Sequence, residues 1–168
     1  MISQVLQPSQ VEQEILTLKK EIARLRLLGT SFFSPEVNEL RSVVLDAHAD
    51  GEEMLVSIIV KHLYTTAHTQ FKHQGFKSFG EFRKRVELII DGTYIKLARR
   101  ALDLGIIDEM NFLDLKMLND IRVVLAHPRD GRWKQFLEEE KYKWALEEVI
   151  KVTMMLATID REFGLASE

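Results

Sequence analysis

Apolar residues recur along this chain with the 3.6-residue period of helices, and no segment shows the two-residue alternation of a half-buried strand. The first run, Val11, Ile15, Leu18, Ile22 and Leu25, steps by four, three, four and three, a narrow heptad seam with Lys19, Lys20, Glu21 and Arg24 around it. It predicts a helix after Pro8 with Ser9 as its N-cap. So short a seam is not stable alone. It packs either on the body of its own chain or on the matching helix of a second copy. Ser34-Pro35 reads as an N-cap followed by proline at the first helical position. The long helix it opens runs to about Thr66 and turns Leu40, Val44, Ala47, Gly51, Leu55, Ile58 and His62 inward.

Residues 68–77 are polar, contain Gly75, and read as a loop. Ser78-Phe79-Gly80-Glu81 has the form of a capping box, and the helix it starts presents Phe82, Val86 and Ile89. Asp91-Gly92-Thr93 interrupts the pattern before a helix over 94–104. Gly105 supplies that helix with its C-cap, and Asp108 caps the next. On this next helix Leu115, Leu118, Ile121 and Leu125 face the core. Lys116, Asn119, Asp120 and Val123 face away, with Arg122 on the border. After a connection over 128–131, a last helix carries Trp133, Phe136, Ala145, Val149, Val152, Leu156, Ile159 and Phe163. The expected fold class is therefore all-α, a bundle of five or six helices. Residues 1–33 would form an N-terminal amphipathic helix and linker, and 34–168 the helical domain.

Composition narrows the setting. A hydrophobic share of 46% with 29% charged residues belongs to an ordinary globular domain. The absence of cysteine rules out disulfides and thiolate metal sites and suits a reducing compartment. The longest apolar stretch, 54–60, is too short to span a bilayer, and the first residues lack the basic and apolar regions of a signal sequence. The expectation is a cytoplasmic protein with no membrane partner. Net charge is −3, so any nucleic-acid site would be local. Candidates are the stretch Lys72, His73, Lys77, Arg83, Lys84 and Arg85, the pair Arg99-Arg100, and Arg129, Arg132 and Lys134. Each also describes a solvated face. Asp46, Asp50 and Glu53 stack on one helix side with His48 nearby, but the ligand spacing of a metal site is missing. His62, His68 and His73 do not share a helical face. No cofactor, metal, Gly-rich phosphate loop or nucleophile elbow is expected.

Candidate chemistry concentrates in residues 118–128, L-N-D-I-R-V-V-L-A-H-P. Arg122 precedes His127 by five positions, which on a continuous helix separates them by about 140° around the axis. Pro128 pushes His127 out of the α region, so the helix ends near Ala126 and the imidazole is free to swing toward Arg122. An arginine able to hold a phosphate and a histidine able to move a proton are what metal-free RNA cleavage requires. The plainer alternative leaves Arg122 covering the helix with its stem and His127 capping its end.

Three stretches together, F-R-K-R-V-E-L-I-I, A-L-D-L-G-I-I-D and L-K-M-L-N-D-I-R-V-V-L-A-H-P, resemble the HEPN superfamily, in particular its mannitol operon repressor-like branch. That family reads as a helix, "LGLID", a short acidic turn, and a helix ending "IRNxxAH". Leu104-Gly105-Ile106-Ile107-Asp108, Ile121-Arg122 and Ala126-His127 follow that order over residues 79–127. The resemblance implies a HEPN-like helical bundle that pairs as a homodimer, with two Arg-x4-His motifs facing one cleft. Many members are metal-independent endoribonucleases of toxin–antitoxin, defence or RNA-processing systems. Carried over, His127 would be the general acid or base and Arg122 would stabilise the phosphorane. Beside this pair, Asn119 one turn before Val123 and the basic Arg129 and Arg132 after the motif are the candidates for substrate contact, and RNA, an antitoxin or a regulatory protein is the candidate partner. One departure stands inside the motif: the position after the arginine is usually polar in active members, often Asn or Asp, and this chain has Val123. Other members are non-catalytic regulators or protein-interaction modules, which is the alternative the resemblance implies.

Overall fold

In the computed structural model, the backbone is described for residues 8–25, 35–66, 78–90, 92–127, 132–138 and 141–163. Seven helices lie within them: α1 (Pro8–Leu25), α2 (Pro35–Thr66), α3 (Phe79–Glu87), α4 (Tyr94–Asp103), α5 (Glu109–Ala126), α6 (Arg132–Glu138) and α7 (Lys141–Glu162). No strand occurs among the described residues. The all-helical expectation holds, and the count exceeds five or six because the expected last helix is two. A continuous helix would put Phe136 and Ala145 on opposite sides, since nine residues are about two and a half turns. Trp133, Phe136, Ala145 and Val149 are nevertheless all buried, so the apolar phase must be reset between them.

Helix α2 is the spine of the bundle, touching α1, α3, α4, α5 and α7. Its inward stripe places Leu40, Val44, Leu55 and Ile58 fully out of solvent. Ala47 and His62 of the same stripe are only half-buried, and His62 sets its ring edge against Phe163. Helix α1 packs on α2 and α7 of its own chain, with Ile15 and Leu18 of the heptad seam buried there. The side chains of Val11, Ile22 and Leu25 lie outside the described residues. The helix already includes Pro8, so Ser9 sits inside the first turn rather than at an N-cap.

Caps set the positions of the middle helices. Ser78 accepts from the Glu81 amide at 3.2 Å and starts α3, as the capping box predicts. That helix stops at Glu87, so Ile89 falls off the helical period and is 73% exposed, while Ile90 turns inward instead. Helix α4 closes with a Schellman arrangement: the Gly105 amide donates to the Leu102 carbonyl and that of Ile106 to Ala101, both at 2.9 Å. Gly105 has φ +69°, a conformation that favours glycine. Asp108 then accepts from the Asn111 amide at 2.8 Å and opens α5. Leu104-Gly105-Ile106-Ile107-Asp108 is thus a stop followed by a start. It fixes where α5 begins and which face reaches α2.

Candidate functional site

Helix α5 ends at Ala126, and His127 leaves it with extended backbone, φ −112° and ψ 96°, as a residue before proline must. Its side chain is exposed. Five residues earlier Arg122 is half-buried, and its Nε is buried without a hydrogen-bond partner. No hydrogen bond or ion pair joins Arg122 to His127 among the described residues. Arg132 opens α6 and is exposed. Arg129 lies outside the described residues, as do Lys72, His73 and Lys77 of the basic stretch.

The structure brings Asn119 together with a residue that sequence reasoning did not select, one that also feels the Arg122 charge. His48, on the inner side of α2, donates from Nε2 to Asn119 Oδ1 at 3.1 Å. Its ring stacks on Tyr94, with centroids 4.1 Å apart and planes inclined by 22°. Burial lowers the His48 pKa from its ordinary value; the Asn119 bond opposes this, the Arg122 charge adds to it, and Glu52 opposes it. A neutral imidazole with its proton on Nε2 fits this setting. Asn119 was expected to face away from the core and contact substrate. It faces α2 instead, because its oxygen is the acceptor that a buried imidazole N–H requires.

A second polar cluster lies where α5 meets α7. Asp114 and Glu148 are both buried, and Lys151 reaches over to Asp114 Oδ1 at 2.7 Å. Burial raises the Glu148 pKa above the ordinary carboxylate range, the Asp114 charge and a hydrogen bond to Asp114 add to it, and Lys151 opposes them. Glu148 Oε1 and the Tyr94 hydroxyl are buried with no protein partner. Burial and the Glu148 charge both push the Tyr94 phenol upward, so it stays protonated. Tyr94 therefore touches both clusters, stacked on His48 and under the influence of Glu148.

Gly51 is what admits that ring. A Cβ there would come within 3.0 Å of Tyr94 Cε2. The signal for His48 was present in the sequence, since it lies one position after Ala47 on the inward stripe of α2. It was hidden by the neighbouring carboxylates Asp46 and Asp50, which point the other way. No group of three His, Asp or Glu side chains converges closely enough for a metal ion among the described residues. No helix of the described residues is long and apolar enough to cross a membrane. Compared with family models, with curated proteins and with solved structures, the chain matches none.

Proposed function

We propose that the chain is a HEPN-type regulatory module, a homodimer that acts by binding a protein partner rather than by cutting RNA. The observation that carries this reading is the use made of Asn119. Position 123 holds a half-buried valine, and the nearest polar group one turn back, Asn119, is engaged by His48. The motif then offers no side chain beside Arg122 to orient His127 or a ribose. The charge of Arg122 is felt by the buried His48 imidazole, whose bond to Asn119 ties α5 to α2 and leaves the exposed helix end for contacts with another chain.

A second reading, a metal-independent endoribonuclease with a composite dimer site, is favoured by one observation. His127 is exposed, and among the described residues no carboxylate is hydrogen-bonded to Arg122, which suits both to engage a phosphate. Purified protein incubated with mixed RNA in EDTA, beside His127→Ala, separates the two. The regulatory reading expects intact RNA at high concentration of a protein that sediments as a dimer. Cleavage that leaves 2′,3′-cyclic phosphate and disappears in the variant overturns it. A strictly monomeric protein removes the shared cleft from both.

A further inference from the structure

Helix α3 and the turn that ends it carry the two most exposed large apolar side chains of the described residues, Leu88 at 85% and Ile89 at 73%. A single exposed aliphatic is ordinary. Two in succession, almost bare at a corner of the bundle, form a ridge whose apolar surface is stabilised by being covered. Lys84 lies one turn before Leu88 on the outward side of α3, exposed and with no carboxylate partner among the described residues. Arg85 stands beside it, 3.8 Å from Glu81. The ridge is apolar at its crest and cationic on its flank.

Helices α1, α2 and α7 enclose a groove of about 390 Å³ with an apolar floor of Ile15, Val43, Ala47, Met54 and Val149. Arg83 of α3 lines this groove, so ridge and groove share a border. The rim has the opposite charge to the ridge: Asp50 and Glu53 are exposed there and joined by no ion pair among the described residues. Exposed carboxylates of this kind do not by themselves make a site. What distinguishes these is the neighbouring ridge, which matches the groove in shape, in apolar surface and in charge.

We propose that two copies of the chain associate through this face, Leu88 and Ile89 of each seated in the α1–α2–α7 groove of the other. A two-fold axis requires a patch that complements itself. Ridge and groove meet that requirement because they adjoin and are opposite in form and charge, so one rotation seats both pairs at once. On opposite sides of the molecule the same contact would build an open chain of copies. A second copy is also the occupant that uses both features. A small ligand would leave the ridge bare, and a partner with an acidic face would leave the groove empty. This face rests on the proposed homodimer but involves neither Arg122 nor His127.

Sedimentation equilibrium of the full chain over a range of concentrations tests it, and the parent should form a dimer. Leu88→Glu with Ile89→Glu should sediment as a monomer where the parent is dimeric. Both positions are exposed, so at dilutions where the parent is monomeric the urea midpoints should agree. Lys84→Glu alone and Glu53→Lys alone should each weaken the dimer by about tenfold or more, since each sets like charges together twice across the axis. An equimolar mixture of those two should recover the parent's affinity. In the mixed dimer one contact is reversed in sign and the other is unchanged. A dimer that none of these substitutions weakens overturns the face and leaves the homodimer standing; a monomer at every concentration overturns both. A mixture that stays monomeric, or open-ended polymers in place of a dimer, also overturns the face.

Discussion

Near its N-terminal end α5 lays Asp114 between Glu148 and Lys151 of α7; near its C-terminal end Asn119 bonds His48 of α2, and Arg122, whose charge acts on that imidazole, has no hydrogen-bonded carboxylate among the described residues. Both junctions bury ionisable groups within one helix. At the first, the Asp114 carboxylate meets the Lys151 ammonium at 2.7 Å, so the charge is answered inside the chain. At the second, the cation is answered by an imidazole that burial keeps neutral, and Arg122 Nε is left without a partner. A matched charge stabilises a seam, whereas a buried donor without a partner costs stability and marks a place that packing alone does not explain. That contrast is why the Asp114 end reads as scaffold and the Arg122 end as the candidate site.

The largest effect should come from a change that ignores the contrast. Leu118 is fully buried between the two ends, and Leu118→Ala should cost about 2–5 kcal/mol in urea denaturation, the range for opening a core cavity. Amide exchange should then rise at both ends of α5; a rise at one end alone would mean that the helix does not couple them.

Next comes Asp114→Ala. It removes the carboxylate that Lys151 reaches and that bonds Glu148, and should cost about 1–3 kcal/mol, with exchange rising along the seam with α7. Tyr94→Phe should act in the opposite sense. It deletes a buried hydroxyl that has no partner and keeps the ring on His48, so stability should rise by about 1 kcal/mol; a loss of similar size would show that the hydroxyl is bonded.

Arg122→Met is expected to be the mildest, within about 0.5 kcal/mol, because no hydrogen bond is lost. A cost above that would break the comparison, since it would make Arg122 as structural as Asp114. The same variant removes a positive neighbour, so the His48 imidazole resonances should titrate at higher pH than in the parent.

Acid distinguishes the two ends in sign. The folded His48 pKa lies below its unfolded value of 6.5, so the unfolded chain takes up the proton first. The contribution of His48 is present above about pH 6.5 and is lost as pH falls through the folded pKa. Glu148 behaves in reverse. Its folded pKa is raised, so its contribution is fully present below the ordinary glutamate pKa and is lost as pH rises through the folded one. Exchange measured from pH 7 down to 5 should therefore loosen the seam of α5 with α2 before that with α7; the opposite order would reverse the assignment.

Much of this architecture was legible before any coordinates. Ser78, Gly105 and Asp108 announced the helix boundaries because caps and left-handed turns are local requirements that a few residues satisfy by themselves. Pro128 placed the end of α5 at Ala126 for the same reason. Ile89 and the division of the last helix were misjudged because periodicity says which side is apolar but not where a helix stops or its phase is reset. In the candidate site, Arg122 and His127 were found from spacing and the exit turn. Their relation to His48 was not, because that contact joins positions 71 residues apart.

The sequence by itself determined that the chain is helical, where most of its helices begin and end, and which apolar residues form the core. These follow from dihedral preference, capping and the 3.6-residue period, all of which act over a few residues. Only the tertiary structure decided the company each polar side chain keeps. Asn119 was turned from solvent to His48, Asp114 was matched with Lys151, and Arg122 Nε was left without a hydrogen-bond partner among the described residues. Those outcomes depend on which helices pack side by side and how each is rotated, and burial then gives the resulting pairings their effect on charge.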